Sequence, residues 1–386
     1  MARGQRMKGN NQPVRVLQVI GAMDRGGAET LIMNLYRSID RNKIQFDFLV
    51  NETHLCDYDD EIAALGGRIF HIPRFNIINY FAYRYACRDF FSSHSYPLVH
   101  GHIGLPCAIY LSFAHKNGAY TIAHSHAQNF PLSLKELAFR SISHPVRNHA
   151  DYFIACSKQA GIDRFGIGIA NDDTRFHILK NGFDVQEERY QDEVRTRIRK
   201  ELGISSDTPV FGHVGRLTPI KNHTFLFDVF ASIKRQLPNS ILLLAGRGEA
   251  ETNLRRRANQ LGLEDSIRFL GVRDDVSSVL CAMDVFIFPS ITEGLSNAVI
   301  EAQASGLPCL ISTGVPELAK IRDQTERLEL SLGPEEWSKH AIASLKNQTG
   351  REFAYLDARK AGFDIADSAS WLENFYLEKA VGTRRF

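Results

Sequence analysis

Short apolar runs rich in β-branched residues alternate with helical patterns along most of the chain, and this alternation limits the fold more than any other feature. The first run, Val14 to Ile20, is followed by a glycine-rich turn and then by a helical pattern from Leu31 to Ile39. A strand, a turn and a helix in this order form the first unit of a parallel α/β sheet.

These units repeat in two series of similar size. We expect strands at residues 14–20, 46–50, 68–72, 98–102, 120–126, 152–157 and 176–182 in the first series, and at 209–217, 240–248, 267–271, 285–290 and 308–312 in the second. The length of 386 residues also fits two domains. The sequence therefore predicts an α/β protein with two facing Rossmann-like domains, mainly parallel sheets and a ligand cleft at the carboxyl ends of the strands.

A polar, charged segment from Gln186 to Leu202 separates the two series. We place the N-terminal domain at residues 1–185 and the C-terminal domain at residues 205–365. The tail, at about 368–386, predicts an amphipathic helix that can pack back on the N-terminal domain. Its apolar side carries Trp371, Leu372, Phe375 and Tyr376.

Charge and cysteine content exclude several classes of protein. The 46 Lys and Arg residues are balanced by 44 Asp and Glu residues, so we expect no nucleic-acid partner. The six cysteines form no CxxC pair and lie in apolar surroundings, as reduced core cysteines of a cytosolic protein do. No apolar run approaches the ~18 residues of a membrane span, and we expect a cytoplasmic protein.

The most specific motif joins Glu293 and Glu301, with seven residues between them, across a strand-turn-helix junction. Ser296 or Asn297 can cap the helix, which we expect to begin at Ala298. Free N–H groups at a helix start suit a phosphate or a hydroxyl-bearing ligand, and a carboxylate beside them can accept hydrogen bonds from paired sugar hydroxyls. The other interpretation is a capped surface helix with two solvated glutamates.

Two cations follow the first strand of the second series. Arg216 and Lys221 lie in a loop at the carboxyl end of that strand, where they can hold a diphosphate and neutralise the charge of a departing nucleoside diphosphate. Protein cations in this role would remove the need for a metal ion, so we expect none. Alternatively, they are ordinary surface cations.

Together these patterns resemble glycosyltransferase family 4, whose members are retaining nucleotide-sugar transferases of the GT-B fold. The resemblance extends from residue 26 to residue 308 and rests on GGAE (26–29), AHSHAQ (123–128), KNGFD (180–184), GRLTPIKN (215–222), LLAGRGE (243–249) and EGLSNAVIEAQASGLP (293–308). It implies that Arg216 and Lys221 bind the donor diphosphate and that Glu301 binds the ribose hydroxyls. It assigns the donor sugar to Glu293 and to the four residues after it, Gly294, Leu295, Ser296 and Asn297.

The resemblance also implies a catalytic histidine, His126, at the end of the fifth expected strand. His124 lies two residues earlier on the same strand face, so the period of the strand does not separate the two. The alternative for either residue is an ordinary core or loop histidine.

Two loops are implied as parts of the same cleft. At Gly26 and Gly27 the backbone would approach the acceptor or the diphosphate closely, and Asn181 with Asp184 would line the hinge side. Simple turn chemistry is the alternative for all four.

The stretch from Arg74 to Phe91 combines aromatic residues with three arginines. It can lie against an anionic membrane, which would suit a lipid-linked acceptor and a place at the inner face of the cell membrane. An amphipathic helix packed on the first sheet is the other interpretation.

The resulting hypothesis is a metal-independent hexosyltransferase that needs no cofactor. It would move a sugar from a nucleotide-sugar donor, with a UDP-sugar favoured, to a glycan or lipid-linked acceptor in cell-surface polysaccharide biosynthesis. A non-catalytic nucleotide-sugar-binding partner subunit is the alternative. A dinucleotide oxidoreductase is disfavoured because the nearest GxGxxG match, Gly246 to Glu251, lacks the third glycine. A metal hydrolase is disfavoured because the paired histidines have no carboxylate nearby in sequence.

Overall fold

The computed structural model describes residues 12–102, 104–126 and 144–383. Its contacts divide the chain into two units. Unit 1 comprises Met1–Gly182 and Ile365–Phe386, and unit 2 comprises Phe183–Asp364. The chain therefore leaves unit 1 once and returns to it near its end.

Unit 1 is built on a parallel sheet. Its strands are β1 (Val14–Val19), β2 (Ile44–Val50), β3 (Ile69–His71), β4 (Leu98–His102), β5 (Tyr120–Ser125), β6 (Tyr152–Ala155) and β7 (Phe176–Ile178). They lie in the order β3-β2-β1-β4-β5-β6-β7, and every neighbouring pair is parallel. In such doubly wound sheets, ligands bind beyond the carboxyl ends of the strands where the order reverses, here at β1 and β4.

Helices cover both faces of this sheet. They are α1 (Gly27–Ser38), α2 (Asp59–Ala64), α3 (Tyr80–Ser93), α4 (Cys107–Lys116), α5 (Lys158–Phe165) and α6 (Ile167–Ala170). Residues of α1 and α2 belong to one apolar cluster, and residues of α3 to α6 belong to another. Because both faces are covered, the strands are almost continuously apolar, as the sequence indicates.

Unit 2 repeats the plan with a second parallel sheet. Its strands are β8 (Val210–Val214), β9 (Ile241–Ala245), β10 (Ile267–Gly271), β11 (Val285–Phe288), β12 (Cys309–Ser312) and β13 (Thr325–Leu328), in the order β10-β9-β8-β11-β12-β13. Its helices are α7 (Asp192–Glu201), α8 (His223–Gln236), α9 (Glu251–Gln260), α10 (Val276–Ala282), α11 (Asn297–Ala304), α12 (Gly333–Ser344) and α13 (Tyr355–Lys360). The predicted fold class, two Rossmann-like units with parallel sheets, is confirmed.

The last helix, α14 (Ile365–Thr383), belongs to unit 1. Its Leu372 and Tyr376 lie in the apolar cluster that contains α1. Its Trp371 stacks on His177, the middle residue of β7, with ring centroids 3.6 Å apart. The apolar side that the sequence predicts for this helix is thus the side that packs on unit 1.

The structure differs from the sequence-based expectation in unit 2. The polar segment expected to connect the domains carries α7 and lies within unit 2, which begins at Phe183. The apolar pattern of the sequence does not predict β13, because the residues of this strand, Thr-Glu-Arg-Leu, do not form an apolar run. Its two middle residues, Glu326 and Arg327, are only partly buried, and this weakens its hydrophobic signal.

All six cysteines are buried, as the sequence predicts. Within the described ranges, every helix is too short or too polar to cross a membrane.

Candidate active site

A lysine-glutamate pair occupies the carboxyl edge of the sheet in unit 2. Lys221 ends a short 3-10 turn after β8, and Glu293 follows β11, the neighbouring strand. Lys221 Nζ donates to Glu293 Oε1 over 2.7 Å, and Ser290 Oγ donates to the same oxygen. The two charged side chains are only 16% and 13% exposed. The structure therefore brings together two of the residues predicted from separate motifs.

Close backbone packing holds the loop that carries the first cation. The loop after β8 lies against the loop after β9, where Leu217 N donates to Arg247 O over 3.0 Å. Gly246 has φ 134°, and a Cβ there would lie 2.0 Å from Gly215 O. A Cβ on Gly248 would lie 2.4 Å from Leu217 O. Only glycine permits this approach.

Arg216 lies in this loop with an exposed side chain. No side-chain hydrogen bond joins it to another residue of the described ranges. Its neighbour Leu217 is buried in the core of unit 2, which fixes the backbone beside it. Arg216 is therefore an exposed cation beside a buried anchor residue, whereas Lys221 is already engaged by Glu293.

The helix predicted after Glu293 is α11, and it begins at Asn297, one residue earlier than expected. Ser296 occupies the N-cap position, but within the described structure its side chain accepts no hydrogen bond from the helix. The expectation of a side-chain cap is therefore wrong for Ser296, and for Asn297 because that residue lies inside the helix. Asn297 Oδ1 is buried without a partner among the described residues. Val299 N donates to Ser296 O over 3.2 Å, so the amides of Asn297 and Ala298 are the first-turn donors that remain for another acceptor.

Two residues of the predicted motif lie between the glutamate and this helix. Leu295 packs against the core cluster of unit 2. A Cβ on Gly294 would meet no described atom within 4 Å. Glycine at this position therefore leaves open space beside Glu293 rather than relieving a clash.

Glu301 lies one turn into α11, and burial raises its pKa to about 7. A second carboxyl that sequence reasoning missed, Glu188, lies near it. Burial, followed by the charge of Glu301, raises the pKa of Glu188 well above its usual range. Glu188 Oε2 is buried and has no hydrogen-bond partner in the described part of the chain. The two carboxyls thus lie where both cannot easily be ionised.

In unit 1, four histidines gather at the carboxyl ends of β4 and β5. They are His100, His102, His124 and His126, and neighbouring rings lie 4.0–5.5 Å apart between centroids. Burial lowers the pKa of His100 to about 3 and of His126 to about 4. The imidazoles are therefore neutral at pH 7.

Hydrogen bonds connect these rings to two residues from other elements. His100 Nδ1 lies 2.5 Å from the hydroxyl of Tyr376 in α14, and His100 Nε2 lies 3.2 Å from His124 Nδ1. His102 Nε2 lies 2.9 Å from Oε1 of Gln18 in β1, and His102 Nδ1 lies 2.7 Å from His126 Nε2. Gln18 and Tyr376 are thus site residues that sequence reasoning missed.

Two groups of described residues have the composition of metal ligands. Three of the histidines, His100, His102 and His124, place one ring nitrogen each within 4.8 Å of the others. Asp24, His54 and Cys56 form the second group. In the histidine group both ring nitrogens of His100 and of His102 already have protein partners, whereas His124 Nε2 has none among the described residues.

The glycine pair of unit 1 lies at the start of α1. Gly26 is the N-cap residue, and Gly27 is the first residue of the helix. A Cβ on Gly26 would lie 2.3 Å from a carboxylate oxygen of Glu29. Burial raises the pKa of Glu29, so the group beside this helix start is partly desolvated.

Asn181 and Asp184 flank the point where the chain passes from unit 1 to unit 2. Asn181 is buried, and its Oδ1 has no partner among the described residues. Asp184 accepts a hydrogen bond from Gln186 N over 2.9 Å, which closes a local turn.

Comparisons with known proteins identify the family of the chain. The family model "Glycosyltransferase Family 4" matches residues 25–187, and "Glycosyl transferases group 1" matches residues 194–352. EpsF of Bacillus subtilis (strain 168), which is named as a glycosyltransferase, is 33% identical over 378 residues, or 95% of this chain and 97% of EpsF.

A second relative and a solved structure extend the comparison. The UDP-Gal:alpha-D-GlcNAc-diphosphoundecaprenol alpha-1,3-galactosyltransferase of Escherichia coli is 26% identical over 54% of this chain and 56% of that protein. The crystal structure of Anabaena Alr3699/HepE in complex with UDP and glucose superposes with a TM-score of 0.76 at 17% identity, over 95% of this chain and 100% of that one. The chain belongs to glycosyltransferase family 4 and has the GT-B fold.

Proposed function

We propose that this glycosyltransferase transfers a sugar, with retention of the anomeric configuration, from a UDP-sugar to a glycan or lipid-linked acceptor in cell-surface polysaccharide biosynthesis. The observation that carries the proposal is the Lys221–Glu293 pair beside the uncapped start of α11, with Arg216 in the neighbouring loop. A cation, a carboxylate and free amides together match a diphosphate joined to a sugar.

The donor displaces one interaction in this scheme. Before binding, Glu293 is held by Lys221 and Ser290. A diphosphate that takes over Lys221 frees the carboxylate to accept hydrogen bonds from sugar hydroxyls. Arg216 is free to reach the other phosphate, so the protein supplies both positive charges and a metal ion is not required.

The choice of donor and acceptor is supported by the similar proteins. The Anabaena structure is described as a complex with UDP and glucose, and the name of the E. coli relative specifies UDP-Gal and a diphosphoundecaprenol-linked sugar. In unit 1 we assign the hydroxyl-binding role to His126, whose neutral imidazole can accept a hydrogen bond from a sugar hydroxyl.

A lipid-linked acceptor also fits the surface of α3. Five large apolar side chains at and before the start of this helix are exposed, Ile77, Ile78, Tyr80, Phe81 and Tyr85. Ile78 is 97% exposed and Phe81 is 83% exposed. The opposite side of the helix, with Tyr83 and Cys87, is already buried in the core of unit 1. The exposed side is thus apolar without any packing reason within unit 1.

Cations surround this apolar surface. Arg74 is exposed, and the guanidinium groups of Arg84 and Arg88 lie 5.6 Å and 5.1 Å from the ring centroids of Tyr80 and Tyr85. Apolar and aromatic side chains flanked by arginines are typical of surfaces that enter an anionic membrane interface. We propose that the protein docks there to reach its acceptor.

The donor assignment is tested by assaying the full chain with a panel of nucleotide sugars and lipid-linked sugar acceptors. We expect release of UDP, and proton NMR of the product should show the anomeric configuration of the donor retained. Lys221→Met should lower kcat/KM by about 10- to 100-fold, because it removes charge-assisted hydrogen bonds. Lys200→Met, at an exposed position of α7, is the matched control. Binding of UDP-sugar without turnover by any acceptor would identify a non-catalytic subunit instead.

The membrane assignment is tested by sedimentation with vesicles of phosphatidylglycerol or phosphatidylcholine. We expect binding to the anionic vesicles only, and a loss of at least tenfold in Phe81→Ser. The control is Phe353→Ser, which removes another largely exposed aromatic residue, 63% exposed, from unit 2. Equal losses in the two variants, or binding that ignores lipid charge, would contradict the assignment.

A further inference from the structure

The hydroxyl of Tyr376 is shared by two chains of hydrogen bonds in the histidine cluster. One chain runs from the hydroxyl through His100 to His124. The other runs from it through Gln18 and His102 to His126, and its first contact, Gln18 Nε2 to the hydroxyl, is 3.3 Å long. Each chain ends on a buried ring nitrogen, His124 Nε2 or His126 Nδ1, that has no partner among the described residues.

In such a chain, the direction of one hydrogen bond to a neutral imidazole determines the direction of the next. One of its nitrogens carries a proton and the other a lone pair, so a ring that accepts on one side must donate on the other. The amide of Gln18 behaves in the same way, because it accepts at Oε1 and donates at Nε2. The first contact, with Tyr376, therefore determines whether the last nitrogen in each chain carries a proton.

The hydroxyl of Tyr376 has a single proton. It donates that proton into one chain and accepts from the other, because accepting from both would leave its own proton buried and unpaired. The two chains must then have opposite directions. With Gln18 Nε2 donating to the hydroxyl, the proton of the hydroxyl goes to His100 Nδ1.

We infer that Tyr376 is a positioning residue that gives His124 and His126 opposite hydrogen-bonding roles at their unpartnered nitrogens. His100 Nε2–H donates to His124 Nδ1, which leaves His124 Nε2 protonated. His126 Nε2–H donates to His102 Nδ1, which leaves His126 Nδ1 with a lone pair. Exchanging the two ends of the Gln18 amide would reverse both roles together and keep them opposite.

A donor beside an acceptor is the combination that a hydroxyl group can satisfy fully, since a hydroxyl both accepts and donates. The inference therefore deepens the proposed function, on which this step rests, by assigning the histidine pair to one hydroxyl of a sugar substrate. It also gives the two histidines separate tasks, which their spacing along β5 does not distinguish.

The inference is tested in the free protein by long-range ¹⁵N–¹H NMR of ¹⁵N-histidine-labelled full chain, which distinguishes protonated from unprotonated ring nitrogens. Signals are assigned with His124→Gln and His126→Gln. We expect both imidazoles to be neutral at pH 7, with His124 protonated at Nε2 and His126 unprotonated at Nδ1. The same protonation state at both nitrogens would overturn the inference.

Two variants separate the chains. Tyr376→Phe removes the shared hydroxyl, and we expect mixed tautomers at both His124 and His126. Gln18→Met interrupts one chain only, so His126 should become mixed while His124 keeps its state. The control is Tyr36→Phe, which removes another buried hydroxyl of unit 1, one that donates to Gln45 and Leu65. Unchanged spectra in both test variants would refute the role of Tyr376. If Tyr376→Phe does not fold, the spectra of the wild type and of Gln18→Met test the inference.

Activity provides the second readout. Tyr376→Phe should lower kcat/KM roughly two- to tenfold, which corresponds to one neutral hydrogen bond. Added to the double variant His124→Gln/His126→Gln, it should cause no further loss, whereas a merely structural role would give additive losses. If no transfer occurs with any donor but the two tautomers are opposite, the proposed function fails and the inference about Tyr376 stands.

Discussion

Glu188 and Glu301 show how one unanticipated side chain changes the behaviour of a predicted one. Glu301 was expected as a ribose-binding carboxylate, yet burial raises its pKa to about 7, and burial also raises the pKa of Glu188 well above its usual range. In the free protein near pH 7 this pair therefore retains at least one proton. A ligand with two hydroxyls would bind best once Glu301 is ionised, so nucleotide affinity should increase as the pH rises through 7.

The same shift predicts a pH dependence of stability. A carboxyl whose folded pKa lies above its unfolded value stabilises the fold at low pH, and this contribution is lost as the pH rises from about 4.5 through 7. Glu188→Gln should remove the part of this loss that comes from Glu188 and increase the unfolding free energy of unit 2 at pH 7.5 by roughly 1–3 kcal/mol, while the part that burial imposes on Glu301 remains. Urea denaturation between pH 4.5 and 8 measures the effect.

The adjacent, exposed Glu187 supplies the control for this experiment. Glu187→Gln makes the same change in charge and should leave the pH slope of the wild type intact. Parallel slopes for the two variants would show that Glu188 is not the source of the dependence.

The sequence identifies the residues of this site that lie in local motifs, and it misses those that reach it through the fold. Lys221 and Glu293 stand out because each follows a strand and precedes a helix start. Gln18 and Tyr376 are separated by 358 positions, and nothing local marks either as a partner of a histidine. Glu188 lies in a polar loop, where a buried carboxyl has no pattern of its own.

At the level of elements, the loops after β8 and β9 depend on glycines that bring two backbones together. Gly246→Ala should destabilise unit 2 by about 2–4 kcal/mol, because it combines φ 134° with a Cβ 2.0 Å from Gly215 O. It should also weaken UDP binding by displacing Arg216. Urea denaturation and calorimetric titration with UDP measure the two effects.

Gly262→Ala separates the backbone strain of a positive φ from the steric clash of a new Cβ. Gly262 also has positive φ, 65°, but a Cβ there would meet no described atom within 4 Å. We expect a cost of about 1 kcal/mol and unchanged UDP affinity. Similar costs at the two positions would mean that the close approach of the loops is unimportant.

One carboxylate of unit 2 pairs with two arginines of helix α7. Asp284 pairs with Arg195 over 2.6 Å and with Arg199 over 2.7 Å, and it accepts from Val210 N over 2.7 Å. Asp284→Asn leaves two guanidinium groups without their counter-charge, so it should cost about 3–5 kcal/mol in thermal or urea unfolding.

A partly exposed ion pair gives the matched comparison for Asp284. Asp228 pairs with Arg257 over 2.7 Å, and both side chains are about one-third exposed. Asp228→Asn should cost less than about 1 kcal/mol. A comparable cost for the two substitutions would argue against a special role for Asp284.

Most elements follow from the alternation of apolar runs and helical patterns, because strands buried on both faces leave a strong hydrophobic signal. The sequence predicts the first and last residues of strands and helices less accurately. β5 ends at Ser125 rather than His126, and α11 starts at Asn297 rather than Ala298. Hydrogen-bonding partners on neighbouring strands decide where each strand stops, and these partners are distant in sequence.

For the whole molecule, the most consequential feature is that unit 1 is discontinuous while unit 2 is a single segment. A fragment of residues 183–364 should fold on its own, with cooperative thermal unfolding. A chain that stops after residue 364 should retain a folded unit 2 but lose protection from proteolysis in unit 1, because the core cluster there loses Leu372 and Tyr376.

Supplying residues 365–386 as a separate peptide provides the control for that truncation. We expect the peptide to restore protease resistance to unit 1, and a peptide with Tyr376→Phe to do so as well. Equal resistance with and without the peptide would show that α14 is dispensable to the unit.

The position of α14 has a consequence for how the enzyme is made. During synthesis the sheet of unit 1 leaves the ribosome first, whereas α14 with Tyr376 follows only after the whole of unit 2. The proposed donor-binding residues Lys221 and Glu293 are therefore synthesised before the hydroxyl that joins the two hydrogen-bond chains of the histidine cluster. We expect unit 2 to fold on the nascent chain while the core of unit 1 still lacks its last helix.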